Sequence, residues 1–265
     1  MHPIERLRWI ARAHDEAPSA LAVEAAWTIS ELAADEPAAV VTACRRLVEA
    51  HVTLGPIWWV AARLLVASDA DLEAKRAVDQ FLGDPTADLL ADGLGDRFPA
   101  TAVIVVSYPT ETVAEALSYR PSAVVRVVGA SSHGRRAEVR KLESLVGEAS
   151  GWDLDETEGA VQGAAVVLLE ALAAGPGGVV VSAGTARLAQ AAREASVPLW
   201  AVAGVGRVLG SQLLAEMQRR ADGAVELVGT DSLEVVAGPG GIEDPPAGLS
   251  RSDCPFAPEL LVTAG

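Results

Sequence analysis

The chain has 265 residues, half of them hydrophobic and 22% charged, so it can bury a substantial core and does not read as disordered. Its formal net charge of −15 excludes a general nucleic-acid surface, which needs clustered Lys and Arg. The two cysteines, Cys44 and Cys254, lie far apart without metal spacing and suit a reducing compartment, and His2, His14, His51 and His133 form no ligand pair.

The first ninety or so residues read as helices. The opening MHPIERLRWIARAH lacks an apolar secretory core, and Leu7, Ile10 and Ala11 recur in it at helical spacing. Leu21, Ala25, Thr28 and Leu32 continue that spacing after Pro18-Ser19. Asp35-Glu36-Pro37 then places acid and proline where a helix start prefers them, ahead of Val40, Val41, Cys44, Leu47 and Val48. Gly55-Pro56 interrupts the chain, and IWWVAARLLVA resumes as a strongly apolar helix; with Arg63 inside it, this run is too short to span a bilayer. A last helix is predicted from Asp69 to Leu82, closed by Gly83-Asp84-Pro85. These features lead us to expect a cytoplasmic protein without membrane contact.

After Gly93-Leu-Gly95 the texture changes. TAVIVVS leads to a helix from Glu111, AVVRVVG to a helix from Arg135, AAVVLLEAL to a helix from Thr185, and PLWAVAG to a helix from Ser211, with AVELVG last. A weak strand is expected within Gly151 to Thr157, and the Gly/Pro-rich stretch 238–249 as a surface loop. Nearly all-apolar strands alternating with helices indicate a parallel sheet covered on both faces. The predicted architecture is α/β: an N-terminal helical domain over 1–95, then a Rossmann-like, doubly wound, mostly parallel sheet domain over 96–265.

Three turns carry candidate chemistry. Gly204-Val205-Gly206 follows a strand, but its spacing is GxGxxxG and it follows a late strand, so it reads as a strand-to-helix loop and not as a dinucleotide fingerprint, despite Glu226 twenty residues on. Gly184-Thr185 stands directly before a helix, where Thr185 can cap and the free N–H groups attract an anion. SSHGRRAEVRKL, residues 131–142, leaves a strand with Ser132, His133 and Arg136, a combination of backbone donors and guanidinium that suits a phosphate. Ser107 ends the first sheet strand, and Glu170 is a carboxylate in an apolar run. Ser107 has no GxSxG elbow and no histidine placed by sequence to activate it, which argues against a serine hydrolase.

The run GGVVVSAGTARLAQAAREASVPLWAVAG resembles the signature of the initiation factor 2B alpha/beta/delta-related family, which includes the regulatory subunits of a guanine-nucleotide exchange factor, methylthioribose-1-phosphate isomerase and ribose-1,5-bisphosphate isomerase. CPFAPELLVTAG, VEAHVTLGPIWWVAARLL and IVVSYPTETV resemble further segments of that family in the same order. The likeness is strongest over 177–203 and extends from about residue 48 onward.

The resemblance implies the helical-plus-sheet fold, a homodimer through the C-terminal domain, and an anionic small molecule, a sugar phosphate or nucleotide monophosphate, at the strand-end crevice; no cofactor or metal is expected. Measured against the family pattern, Ser107 replaces the isomerases' cysteine, Val181-Ser182 replaces an Asn-Lys pair, and Glu170 stands for the catalytic aspartate only if the following loop is one residue longer. Arg136 matches a family arginine, and Arg207 takes the place of a lysine. The expected ligand residues are therefore Ser132, His133, Arg136, Gly184, Thr185 and Arg207, with Ser107 and Glu170 as the catalytic candidates. A serine hydroxyl is a far weaker proton donor than a thiol. Three readings stay open: an anion-binding protein without the isomerase mechanism, a regulatory or assembly subunit, and an isomerase with altered groups.

Overall fold

The computed structural model describes residues 2–14, 16–107, 110–129 and 132–263, with backbone alone for 132–135. Five helices form the N-terminal half: α1 (Pro3–Ile10), α2 (Pro18–Asp35), α3 (Val40–Ala50), α4 (Gly55–Val66) and α5 (Ala70–Leu82). Proline in the first turn starts α1, α2 and α4, and the Asp69 carboxylate caps α5 by accepting the Leu72 N–H at 3.0 Å. Helix α4 is apolar except for Arg63 and is accordingly largely buried, with Trp58 and Trp59 fully enclosed. Each indole N–H finds an acceptor, Trp58 at the Val52 carbonyl (3.0 Å) and Trp59 at the Asp253 carboxylate (2.7 Å).

A sixth helix, α6 (Thr86–Arg97), begins directly after the Gly83-Asp84-Pro85 turn where the sequence reading ended the helical series. It does not join the other five. Leu90 and Leu94 pack in one core with Ile104 and Trp200 of the sheet.

The sheet half runs β1 (Val103–Ser107), α7 (Thr112–Ser118), β2 (Val124–Val128), α8 (Ser132–Glu143), β3 (Glu148–Trp152), α9 (Thr157–Val161), β4 (Val166–Glu170), β5 (Ala173–Gly175), β6 (Gly178–Ser182), α10 (Thr185–Glu194), β7 (Leu199–Val202), α11 (Ser211–Ala221), β8 (Val225–Gly229), β9 (Val235–Gly238), β10 (Gly241–Glu243) and α12 (Pro245–Ser250). Seven strands form one sheet in the order β10-β9-β7-β4-β1-β2-β3, parallel except for β10. The order reverses between β1 and β4, and that switch point is where an open sheet of this kind has its crevice.

Three strands depart from the expected single sheet. β5, β6 and β8 form a separate antiparallel sheet, so AVELVG pairs with GVVVS and is not a final parallel strand. The weak strand lies at 148–152, and 238–249 carries β10 and most of α12 in place of a loop. The C-terminal segment then folds back: Cys254, Ala257 and Leu260 join Leu213 and Met217 of α11 in the core of the helical half.

That junction contains a charged cluster. Glu216 bonds Arg219 and Arg220 at 2.6 Å each, and Arg220 also lies over the Trp58 ring and donates to the Leu260 carbonyl at 2.6 Å. The Arg219 hydrogen bond, with Arg220 beside it, holds the Glu216 carboxyl at about 2. A folded pKa below the unfolded value of about 4.3 contributes stability that is complete above that value and is lost as pH falls through 2. The urea midpoint is therefore expected to drop between these limits in the native protein and to drop less steeply in Glu216→Gln; parallel profiles would contradict this.

Candidate functional site

β1 and β4, neighbours at the switch point, carry Ser107 and Glu170 at their carboxyl ends, and both residues are buried; the register aligns Val106 with Leu168, so Ser107 lies beside Leu169 and Glu170 is on the opposite face of the sheet. The Glu170 carboxylate is fully engaged. It accepts the backbone N–H groups of Glu111 (2.8 Å), Thr112 (3.1 Å) and Val113 (3.0 Å), which open α7, and pairs with the Arg207 guanidinium at 2.8 Å. A carboxylate at a helix start satisfies orphan donors and complements the helix dipole.

Arg207 is equally committed. It donates to the Ala171 carbonyl at 2.5 Å and to Glu111 at 2.9 Å, besides Glu170. Glu111 in turn accepts the Ser19 hydroxyl and the Ser19 N–H, which ties the start of α2 to the sheet. Asp84 completes the junction from the α5–α6 turn, accepting the Val205 N–H at 2.8 Å and the Thr86 N–H at 3.0 Å. A cavity of about 250 Å³ opens here, bordered by Asp84, Glu111, Glu115 and Arg207. Three carboxylates face one guanidinium that already has two acidic partners, so the cavity is acidic.

The second predicted anion site is also filled from within. Gly184, at φ 89°, is the N-cap of α10, and Thr185 is its first helical residue. The expectation that Thr185 caps the helix is therefore corrected: the left-handed backbone needed to enter α10 favours glycine, which shifts the cap one residue earlier. Register pairs Val181 with Glu226, and the Glu226 carboxylate accepts the Ala186 N–H at 2.9 Å. The Leu154 side chain covers the space in front of Gly184.

Arg136 is exposed on α8, which follows β2. Ser132 and His133 lie in the first turn of that helix, and their side chains fall outside the described residues. The fold thus pairs Glu170 with Arg207, leaves Ser107 on the other face of the sheet, and places Gly184 and Thr185 at the start of α10, after β6 of the smaller sheet. Sequence reading missed Glu111, Asp84 and Ser19. Only an indirect signal pointed to them: Glu170 and Arg207 both lie in apolar surroundings and must each find a partner.

Neither cysteine belongs to this site. Burial pushes both the Cys44 and the Cys254 thiol up to about 12. Both are expected to resist a thiol-exchange reagent at neutral pH in the native protein and to react fully in denaturant; rapid native labelling would contradict this. Among the described residues no group of three or more His, Cys, Asp or Glu is placed to hold a metal, and no helix is long and apolar enough to cross a membrane.

No family model matches the sequence, and no curated protein matches it significantly. Solved structures do match. Translation initiation factor eIF-2B from Pyrococcus horikoshii OT3 superposes with a TM-score of 0.75 at 18% identity, covering 94% of this chain and 98% of that one. The beta subunit of eIF2B from Chaetomium thermophilum gives 0.68 at 16% identity, covering 96% and 93%. The 5-methylthioribose 1-phosphate isomerase from Pyrococcus horikoshii OT3 gives 0.61 at 16% identity, covering 92% and 85%. At these identities the likeness is one of fold, and the fold is the one implied by the sequence resemblance.

Proposed function

We propose that this chain, which has the fold of the initiation factor 2B-related proteins, serves as an assembling or regulatory subunit and turns over no sugar phosphate. One observation carries the reading: the groups that would serve catalysis at the switch point neutralise one another. Glu170 is engaged by three backbone donors and Arg207, and Arg207 by two carboxylates and a carbonyl. An acid/base catalyst must exchange a proton with substrate, and Glu170 can do so only by uncapping α7. A phosphate entering the cavity would meet Asp84, Glu111 and Glu115 with no spare cation among the residues bordering it.

Assembly draws support from the surface of the sheet half. Leu227 is exposed on β8, an edge strand of the small sheet, and Phe256, Leu261 and Val262 are exposed in the C-terminal segment. An unpaired edge with apolar side chains is a template for association. The neighbours include a tetrameric eIF2B beta–delta complex, and a homodimer through the C-terminal half is the arrangement we propose here.

The test joins two measurements. Sedimentation at micromolar concentration is expected to give a dimer, and incubation with ribose 1,5-bisphosphate or 5-methylthioribose 1-phosphate to give no ketose product. Ser107→Cys is expected to remain inactive, because restoring the thiol leaves Glu170 engaged. A monomer, or turnover by either form, overturns the reading.

Exposed Arg136 favours a second reading, in which a sugar phosphate or nucleotide monophosphate binds beside α8 without turnover. Under it, phosphosugars raise the melting temperature and Arg136→Ala abolishes the rise; no shift with any phosphate ester removes it.

A further inference from the structure

A larger cavity, of about 360 Å³, lies at the carboxyl ends of β7 and β9 and belongs to neither anion site. We propose that it binds an uncharged, planar, hydrogen-bonding molecule about the size of a nucleobase. This goes beyond the assembly reading and stands independently of it.

Position is the first argument. The loop after β7 and the turn after β9 both line the cavity, and parallel strand ends are where open α/β sheets take ligands. Its volume falls at the small end of the usual range of about 300–1,000 Å³ for ligand pockets.

The lining sets the chemistry. Ala203, Val208 and Val236 supply apolar surface, while Gly206 and Gly240 supply peptide groups that pair with no other backbone group among the described residues; the Gly204 carbonyl already accepts the Arg207 N–H, and Gly238 pairs with Gly241 of β10. Apolar surface with a few convergent polar groups is the usual composition of a small-molecule pocket. Bare peptide N–H and C=O groups are matched by the in-plane donors and acceptors of a heterocycle, as in base-edge recognition.

Charge narrows the alternatives. At the mouth, Arg251 pairs with Glu243 at 2.6 Å, and Asp253 pairs with Arg63 at 3.2 Å while accepting the Trp59 N–H. Arg251 offsets Glu243, and Asp253 shares Arg63 with Glu73, so the lining is mildly acidic and an anion is disfavoured. A dinucleotide is unsuited as well: Glu226, the acid at ribose-binding spacing, caps α10. The cavity also includes Gln80 of α5 and Gly83 and Pro85 of the α5–α6 turn, so an occupant would contact both halves of the chain.

The experiment is amide chemical-shift mapping on the full chain, titrated with adenine, cytosine, uracil and their nucleosides at millimolar concentration. At least one base or nucleoside is expected to give saturable shifts at Val205, Val208 and Val236. Val208→Trp, which fills the cavity, is expected to weaken that binding at least about tenfold, a loss of about 1.4 kcal/mol, with native circular dichroism retained. Should that variant not fold, Val205→Phe fills the same space from the loop. Absence of saturable shifts with every base and nucleoside overturns the proposal. So does tighter binding of free sugars, amines or inorganic phosphate at these amides. A phosphate ester that instead shifts Arg136 leaves this cavity empty and supports the second reading above.

Discussion

Glu170→Ala is expected to lower the free energy of unfolding by about 3–5 kcal/mol, the range for removing one partner of a buried ion pair. The Glu170 side chain is only 3% exposed, and its loss has two consequences. Three N–H groups at the start of α7 are left without acceptors, and Arg207 keeps only Glu111 and the Ala171 carbonyl. Glu170→Gln is expected to lose less, since its carbonyl oxygen still accepts while its amide group opposes donors. Denaturant unfolding followed by circular dichroism measures the series. A loss below about 1 kcal/mol for Glu170→Ala would mean that the carboxylate is not what holds α7 in place, and the argument against catalysis would lose its basis.

The same cluster marks how far the sequence could be read. The helical half was legible because amphipathic spacing and proline starts act locally, and β1, β2, β4 and β7 were legible because strands buried on both faces are continuously apolar. The separate small sheet was not. Val225-Glu226-Leu227-Val228 has the texture of any short strand, and only pairing across the fold makes it antiparallel to β6. β5 and β10, at three residues each, are too short to carry a period. Helix α6 was obscured by Gly93 and Gly95, which read as breakers; Gly93 is required because the Ile242 side chain packs where its Cβ would lie.

At the candidate site, Ser107, Glu170 and Arg207 are each legible in the sequence, and while Ser107 lies on the other face of the sheet, the fold pairs Glu170 with Arg207. What the sequence could not convey is that their charges cancel. Glu111, Asp84 and Ser19 are polar residues near turns, indistinguishable in the sequence from solvated ones, and their roles arise from the docking of the helical half on the sheet. The Gly184-Thr185 helix start, read as an anion site, holds a carboxylate of the chain itself, Glu226, and the start of α7, where no anion was inferred, holds Glu170.

The last prediction separates two glycines of the single segment GPGGVVVSAGT. Gly178→Ala is expected to destabilise by about 2–6 kcal/mol, combining backbone strain of about 1–3 kcal/mol with overpacking of about 1–3 kcal/mol. Gly178 has φ 141°, and a Cβ there would fall inside the Val228 carbonyl, a backbone group fixed in the β6–β8 ladder. Relief requires β8 to move, and β8 carries the Glu226 that caps α10. The damage therefore extends from the ladder to the helix. Gly184 has φ 89°, but the atom its Cβ would meet is the end of the Leu154 side chain, which can rotate aside. Gly184→Ala thus retains mainly the backbone strain, about 1–2 kcal/mol. Hydrogen exchange adds a second discriminant: Gly178→Ala is expected to accelerate exchange at the β8 amides and at Ala186, whereas Gly184→Ala affects only the start of α10. Equal or reversed stability losses would show that the β6–β8 ladder yields more readily than its close approach implies, and the cap at α10 would then not depend on it.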